Sequence, residues 1–129
     1  MKILIDTHVF IWYIQNSERL PSSAATLIND GGNEILFSIA SIWEMAIKQS
    51  TGKLNLGIPY IGFIEEQMRL NNIKLLPINL NHIELVTTLP FHHRDPFDCL
   101  LIAQAITEDI ILISTDSVFA LYPVQTVWE

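Results

Sequence analysis

A chain of 129 residues, half of them hydrophobic, has the size of one ordinary domain and enough apolar side chain to fill a core. Its net charge of −7 argues against a broad electrostatic grip on nucleic acid, although a cluster of metal-binding acids would itself add to that charge. Cys99 is the only cysteine, so an intramolecular disulfide and a cysteine-cluster zinc site are excluded, and the lone thiol suits a reducing compartment.

Lys2 to Ile5 is a short, branched, apolar run that reads as a buried parallel strand, and it stops at Asp6-Thr7-His8. It is too short for the apolar core of a signal peptide, and no run reaches the roughly 20 residues of a membrane span. A cytoplasmic protein is expected. Val9 to Ile14 reads as helix, and a second helix starts at Leu20-Pro21-Ser22-Ser23 and runs through Ile28. Asp30-Gly31-Gly32-Asn33 is a turn. Glu34 to Ser38 predicts a second strand, which leads into a helical stripe of Ile39, Ile42, Trp43, Ala46 and Ile47. Glu44 lies beside that stripe, and Gly52 is placed to end the helix. Pro59 to Leu70 is amphipathic, Lys74-Leu75-Leu76-Pro77 gives a third strand, and Asn81 to Leu89 gives a helix stopped by Pro90.

The sharpest local signal follows. Asp95 is set to cap a helix whose first position is Pro96, where no backbone N–H is needed. From Leu100 to Ala103 this helix has no polar face, so it is expected to be buried on most sides. Asp98 shares a face with Leu101 and Ile102, and an unpaired carboxylate on such a face is costly. Position alone leaves capping open as its explanation, because first-turn acids are common. Ile110 to Ile113 predicts a fourth strand ending in Ser114-Thr115-Asp116, and Val124 to Trp128 predicts an edge strand.

Alternating strands and helices predict an α/β domain over residues 1–129, a parallel sheet of four to five strands with helices on both faces. In such sheets ligands gather beyond the carboxyl ends of the strands. Asp6 ends the first strand, Glu44 follows the second, Asp98 begins the helix that feeds the fourth, and Asp116 ends the fourth. All four acids are expected at one edge. Such a cluster repels itself unless protons or a cation neutralise it. Oxygen-only ligands suit Mg²⁺ or Mn²⁺, and such an ion can activate water against a phosphodiester. Glu44 also admits two structural readings, a capping box from Ser41 and an i, i+4 pair with Lys48. A phosphoaspartate phosphatase would want an acid two residues after Asp6, where His8 stands, and no Gly-rich phosphate loop is present.

The sequence resembles the PIN-domain proteins of the VapC toxin type. The carrying residues are Leu4-Ile5-Asp6-Thr7-His8, then Ser41 to Lys48 with Gly52-Lys53-Leu54, then His93-Arg94-Asp95-Pro96-Phe97-Asp98 running into Leu101-Ile102-Ala103-Gln104-Ala105, and Ser114-Thr115-Asp116. The resemblance implies a three-layer α/β/α fold and a Mg²⁺- or Mn²⁺-dependent endoribonuclease neutralised by a cognate antitoxin. Carried over by motif, Asp6, Glu44, Asp98 and Asp116 form the catalytic acidic site, with Asp6, Asp98 and Asp116 on the metal. Thr7, His8, Lys48, Arg94 and Ser114 are expected near the RNA substrate. Cys99 stands where the family often has arginine, and Ser114 where it favours threonine. The alternative is an inactive PIN domain that serves as a protein- or RNA-binding module. Apolar residues of the first helix (Phe10, Ile11, Trp12, Tyr13) and of the Pro59–Leu70 helix (Ile61, Phe63, Ile64, Met68) predict a homodimer and a groove for an antitoxin helix.

Overall fold

The computed structural model describes residues 1–57, 59–90, 95–114, 119, 121, 122, 126 and 127. Its strands are β1 (Lys2–Ile5), β2 (Glu34–Ser38), β3 (Ile73–Leu76), β4 (Ile111–Ile113) and β5 (Thr126–Val127). Its helices are α1 (Thr7–Ile14), α2 (Ser22–Asn29), α3 (Ile39–Ser50), α4 (Tyr60–Leu70), α5 (Leu80–Val86) and α6 (Pro96–Glu108). The five strands form one parallel sheet in the order β3-β2-β1-β4-β5.

Strand alternation divides the core into two layers. Ile3 and Ile5 of β1 with Ile35 and Phe37 of β2 pack against Val9, Phe10, Ala24, Met45, Ile64 and Met68. Leu4 and Leu36 face the other way, onto Leu101, Ile102 and Ala105 of α6. Helices α1 to α4 therefore cover one face and α6 the other, giving the three-layer α/β/α arrangement. Phe10 stacks on Phe37 with ring centroids 4.1 Å apart.

The chain adds strands outward from β1 to β2 to β3, then crosses back to place β4 on the other side of β1. That reversal creates a crevice beyond the carboxyl ends of β1 and β4. The ladder runs one step past the strand end, where the Asp6 N–H donates to the Ile113 carbonyl at 3.1 Å.

Two expectations change. The α1 and α4 residues expected to remain as surplus apolar surface are largely used by the core: Phe10, Ile64 and Met68 are buried, while Ile61 is 53% exposed. The Ser41 capping box, one of the two structural readings of Glu44, does not form: α3 begins at Ile39, where its stripe begins, with Ser38 as its cap, whose hydroxyl oxygen accepts from the Ala40 N–H. Ser41 is buried inside the helix, and its hydroxyl has no partner among the described residues. No helix among those residues is long and apolar enough to cross a membrane.

Candidate active site

Asp6 is the residue where strand becomes helix. Its extended backbone ends β1, and its Oδ1 accepts the Val9 N–H at 2.9 Å, capping α1. The other carboxylate oxygen, Oδ2, accepts from the Ser114 hydroxyl at 2.5 Å. Ser114 follows β4, so this bond closes across the crevice between two neighbouring strands. Asp6 is only 5% exposed. Burial pushes its carboxyl up from the ordinary range, the bonds from Ser114 and Val9 pull it down, the charge of His8 pulls it down, and that of Glu44 pushes it up. Both hydrogen-bond donors to Asp6 are neutral. Among the described residues no lysine or arginine forms an ion pair with it.

Glu44 comes from the second turn of α3 and is held from two sides. The Thr7 hydroxyl donates to its Oε1 at 2.6 Å, and the Lys48 ammonium lies 3.3 Å from its Oε2. The i, i+4 pair is real; the Ser41 capping box is not. Thr7 and Ser114, both expected near the RNA substrate, are buried, and each donates its hydroxyl to a carboxylate, Thr7 to Glu44 and Ser114 to Asp6. His8 is exposed on α1 at the rim, beside Asp6.

Asp98 stands in the first turn of α6 and is half-buried, one turn ahead of the fully buried Leu101 and Ile102. Helices of a parallel sheet run back against the strands, so this turn lies at the same edge as Asp6. Cap duty belongs to Asp95, whose Oδ1 accepts the N–H groups of Phe97 at 2.9 Å and Asp98 at 3.3 Å. Phe97 meets Trp43 edge to face at 5.0 Å, which ties the Asp98 turn to the helix carrying Glu44. Asp116 and Arg94 lie outside the described residues, as do His92 and His93.

The sequence did not single out the support beneath this edge. Gln104 is wholly buried in α6, accepts from the Ser38 hydroxyl at 2.5 Å and donates to the Pro77 carbonyl at 3.2 Å. It pins the ends of β2 and β3 from below. An amide within an otherwise apolar helix was the available signal, since buried amides need partners.

The donor set is all oxygen. Among the described residues no three His, Cys, Asp or Glu side chains are grouped closely enough to hold an ion by themselves. Mg²⁺ commonly takes only one or two carboxylates and completes its shell with water and phosphate. A buried Asp6 with no cationic pair among the described residues, beside Glu44, fits such an ion in chemistry.

The chain's fold is similar to several solved structures. VapBC2 from Rickettsia felis, solved bound to a DNA fragment from its promoter, matches with a TM-score of 0.72 at 14% identity, covering 98% of each chain. VapBC-1 from nontypeable Haemophilus influenzae matches with a TM-score of 0.66 at 19% identity, covering 98% of this chain and 97% of that one. FitAcB from Neisseria gonorrhoeae matches with a TM-score of 0.63 at 15% identity, covering 98% and 96%. No curated protein matches in sequence. The family model described as PIN domain matches residues 3–124. That span takes in β1 with Asp6, the crossover with Glu44, the capped turn with Asp98 and the strand leading to Ser114, and with it the chain belongs to the PIN domain family.

Proposed function

We propose that this chain is a Mg²⁺- or Mn²⁺-dependent endoribonuclease acting in the cytoplasm as the toxin of a toxin–antitoxin pair. One observation carries the reading: the buried Asp6 carboxylate, held by Ser114 across the strand-order reversal with only neutral hydrogen-bond donors among the described residues. Stability alone gives no reason to bury a carboxylate there, because a neutral cap would serve α1 equally well.

In this reading Asp6, Asp98 and Asp116 hold the ion, and Glu44 completes the catalytic acids. Thr7 and Ser114 fix the rotamers of Glu44 and Asp6, so the carboxylates need little rearrangement when a cation arrives. His8, Lys48 and Arg94 meet the RNA around the rim. When bound, the ion supplies positive charge to the scissile phosphate and acidity to water. The protein's own side chains offer no nucleophile in this account. Burial and the charges of Asp98 and Asp95 push the Cys99 thiol up, away from the reactive thiolate.

The VapBC and FitAB complexes among the similar folds support a cognate antitoxin as partner. An apolar groove lined by Ile42, Ile61, Met68, Ile73 and Leu75 supports a homodimer as its setting. The test is cleavage of RNA with Mg²⁺, Mn²⁺ or EDTA, by wild type and Asp6→Asn. Cleavage by wild type with either metal, lost in EDTA and in the variant, supports the proposal. Undiminished cleavage in excess EDTA overturns it, and RNA binding without cleavage favours the inactive binding module.

A further inference from the structure

Among the described residues three ion pairs join a lysine or arginine to a carboxylate, and they differ in setting. Arg69 with Glu66 on α4, and Lys74 with Glu34 across β3 and β2, have both side chains exposed. Exposed pairs of that kind carry little energy. Lys48 with Glu44 is set deeper: the glutamate side chain is 12% exposed and the lysine 33%. Both carboxylate oxygens are engaged, Oε1 by the hydroxyl of buried Thr7 and Oε2 by the Lys48 ammonium. Lys48 itself is fixed by its backbone, whose carbonyl accepts the N–H groups of Lys53 at 2.9 Å and Leu54 at 3.1 Å in the turn that ends α3. Its flexible stem leaves the ammonium free to trade one anion for another.

Charge decides the trade. Asp6 has no ion pair with lysine or arginine among the described residues, yet the charge of Glu44 acts on its carboxyl. Positive charge placed at Asp6 is therefore felt at Glu44 as well, where it repels the ammonium and replaces it as counter-charge. We propose that Lys48 couples the metal to the RNA: its ammonium neutralises Glu44 while no divalent cation is held at Asp6, and is released to a phosphate of the bound strand when one is. This coupling rests on the endoribonuclease reading and adds an order to it. RNA gains one cationic contact only on a loaded site, and by linkage RNA tightens the metal by the same factor.

The test reads each side separately. Lys48→Met keeps the aliphatic stem and removes the charge. Followed by electron paramagnetic resonance, Lys48→Met should bind Mn²⁺ about threefold tighter than wild type, the scale of one partly exposed ion pair. In a Glu44→Gln background the same substitution should change Mn²⁺ affinity far less, because the pair is already broken. The RNA side is read by fluorescence anisotropy of a nuclease-resistant 2′-O-methyl RNA octamer. In EDTA wild type and Lys48→Met should differ by less than about twofold. In saturating Mn²⁺ the gap should open to about fivefold, and the salt slope of wild type should be steeper by about 0.7, the share of one phosphate contact on a single strand.

Unchanged Mn²⁺ affinity in Lys48→Met would reduce the pair to an ordinary helix contact and overturn the coupling. An RNA gap of equal size in EDTA and in Mn²⁺ would also overturn it, as would a gain in Mn²⁺ affinity that persists undiminished beside Glu44→Gln. Wild-type cleavage of RNA in Mn²⁺ keeps the nuclease reading intact in each of these cases. A wild type that binds no Mn²⁺ overturns both.

Discussion

Two aspartates in this chain do the same local job in different surroundings. Asp6 caps α1 through one carboxylate oxygen, and Asp95 caps α6 through one carboxylate oxygen. Asp95 is half-buried, and its cap bonds to Phe97 and Asp98 account for its place in the sequence. Asp6 is buried to 5% exposure, and its second oxygen is held by a residue 108 positions away. Helix capping explains where each aspartate stands. It does not explain why one of them is desolvated and anchored across the sheet. Local chemistry fixes the turn, and the parallel topology brings Ser114 onto one of the two capping residues.

The comparison breaks most cleanly by replacing each aspartate with asparagine, which caps about as well. Asp6→Asn should reduce metal-dependent RNA cleavage by about a thousandfold, on the scale of several kcal/mol of charge stabilisation. Asp95→Asn should leave cleavage and melting temperature near wild type. Equal losses in both variants would mean that capping is the shared cause.

Stability should separate the two residues in the opposite sense. The Asp6 carboxyl is raised in the folded state, so between its ordinary value and its folded value the folded chain holds more protons than the unfolded chain. Stability attributable to Asp6 is therefore highest in acid and falls as pH rises through that window. In EDTA, the melting temperature of Asp6→Asn minus that of wild type should grow from pH 4 towards neutrality. A flat difference would show that burial does not strain the carboxylate.

Smaller effects come from the hydroxyls. Ser114→Ala and Thr7→Val each remove one orienting hydrogen bond without touching a carboxylate, and each should lower cleavage about 10- to 100-fold. Ser114→Ala should also push the Asp6 carboxyl further up, moving the acid limb of the pH–rate profile to higher pH. The smallest change is expected at Trp43, more than half exposed yet packed on Phe97. Trp43→Ala should loosen the Asp98 turn and cost a few-fold in cleavage with little loss of stability; a wild-type rate would show that this contact does not position Asp98.

Much of the fold was legible because the signals were local. β1, β2 and the start of α6 stand at the expected residues, since branched apolar runs, the Asp95 cap and Pro96 specify them within a few positions. Strand–helix alternation also anticipated that Asp6 and Glu44 lie close enough for the charge of one to act on the other. The supports were not legible, because they are long-range pairings. Nothing near Thr7 points to Glu44, nothing near Ser114 points to Asp6, and Gln104 meets Ser38 and Pro77 only after the sheet has formed. The helical stripe marked the start of α3 at Ile39, but its cap was not legible. Ser38 and Ser41 both suit a cap by type, and burial of the helix's first turn decides between them.

The most direct test of the central claim, that the buried Asp6 carboxylate is there for a cation and not for a helix, is Mn²⁺ binding followed by electron paramagnetic resonance on wild type, Asp6→Asn and Asp95→Asn. The account predicts that wild type and Asp95→Asn bind Mn²⁺ alike and that Asp6→Asn loses it while remaining folded. A folded Asp6→Asn that binds Mn²⁺ as tightly as wild type would contradict it.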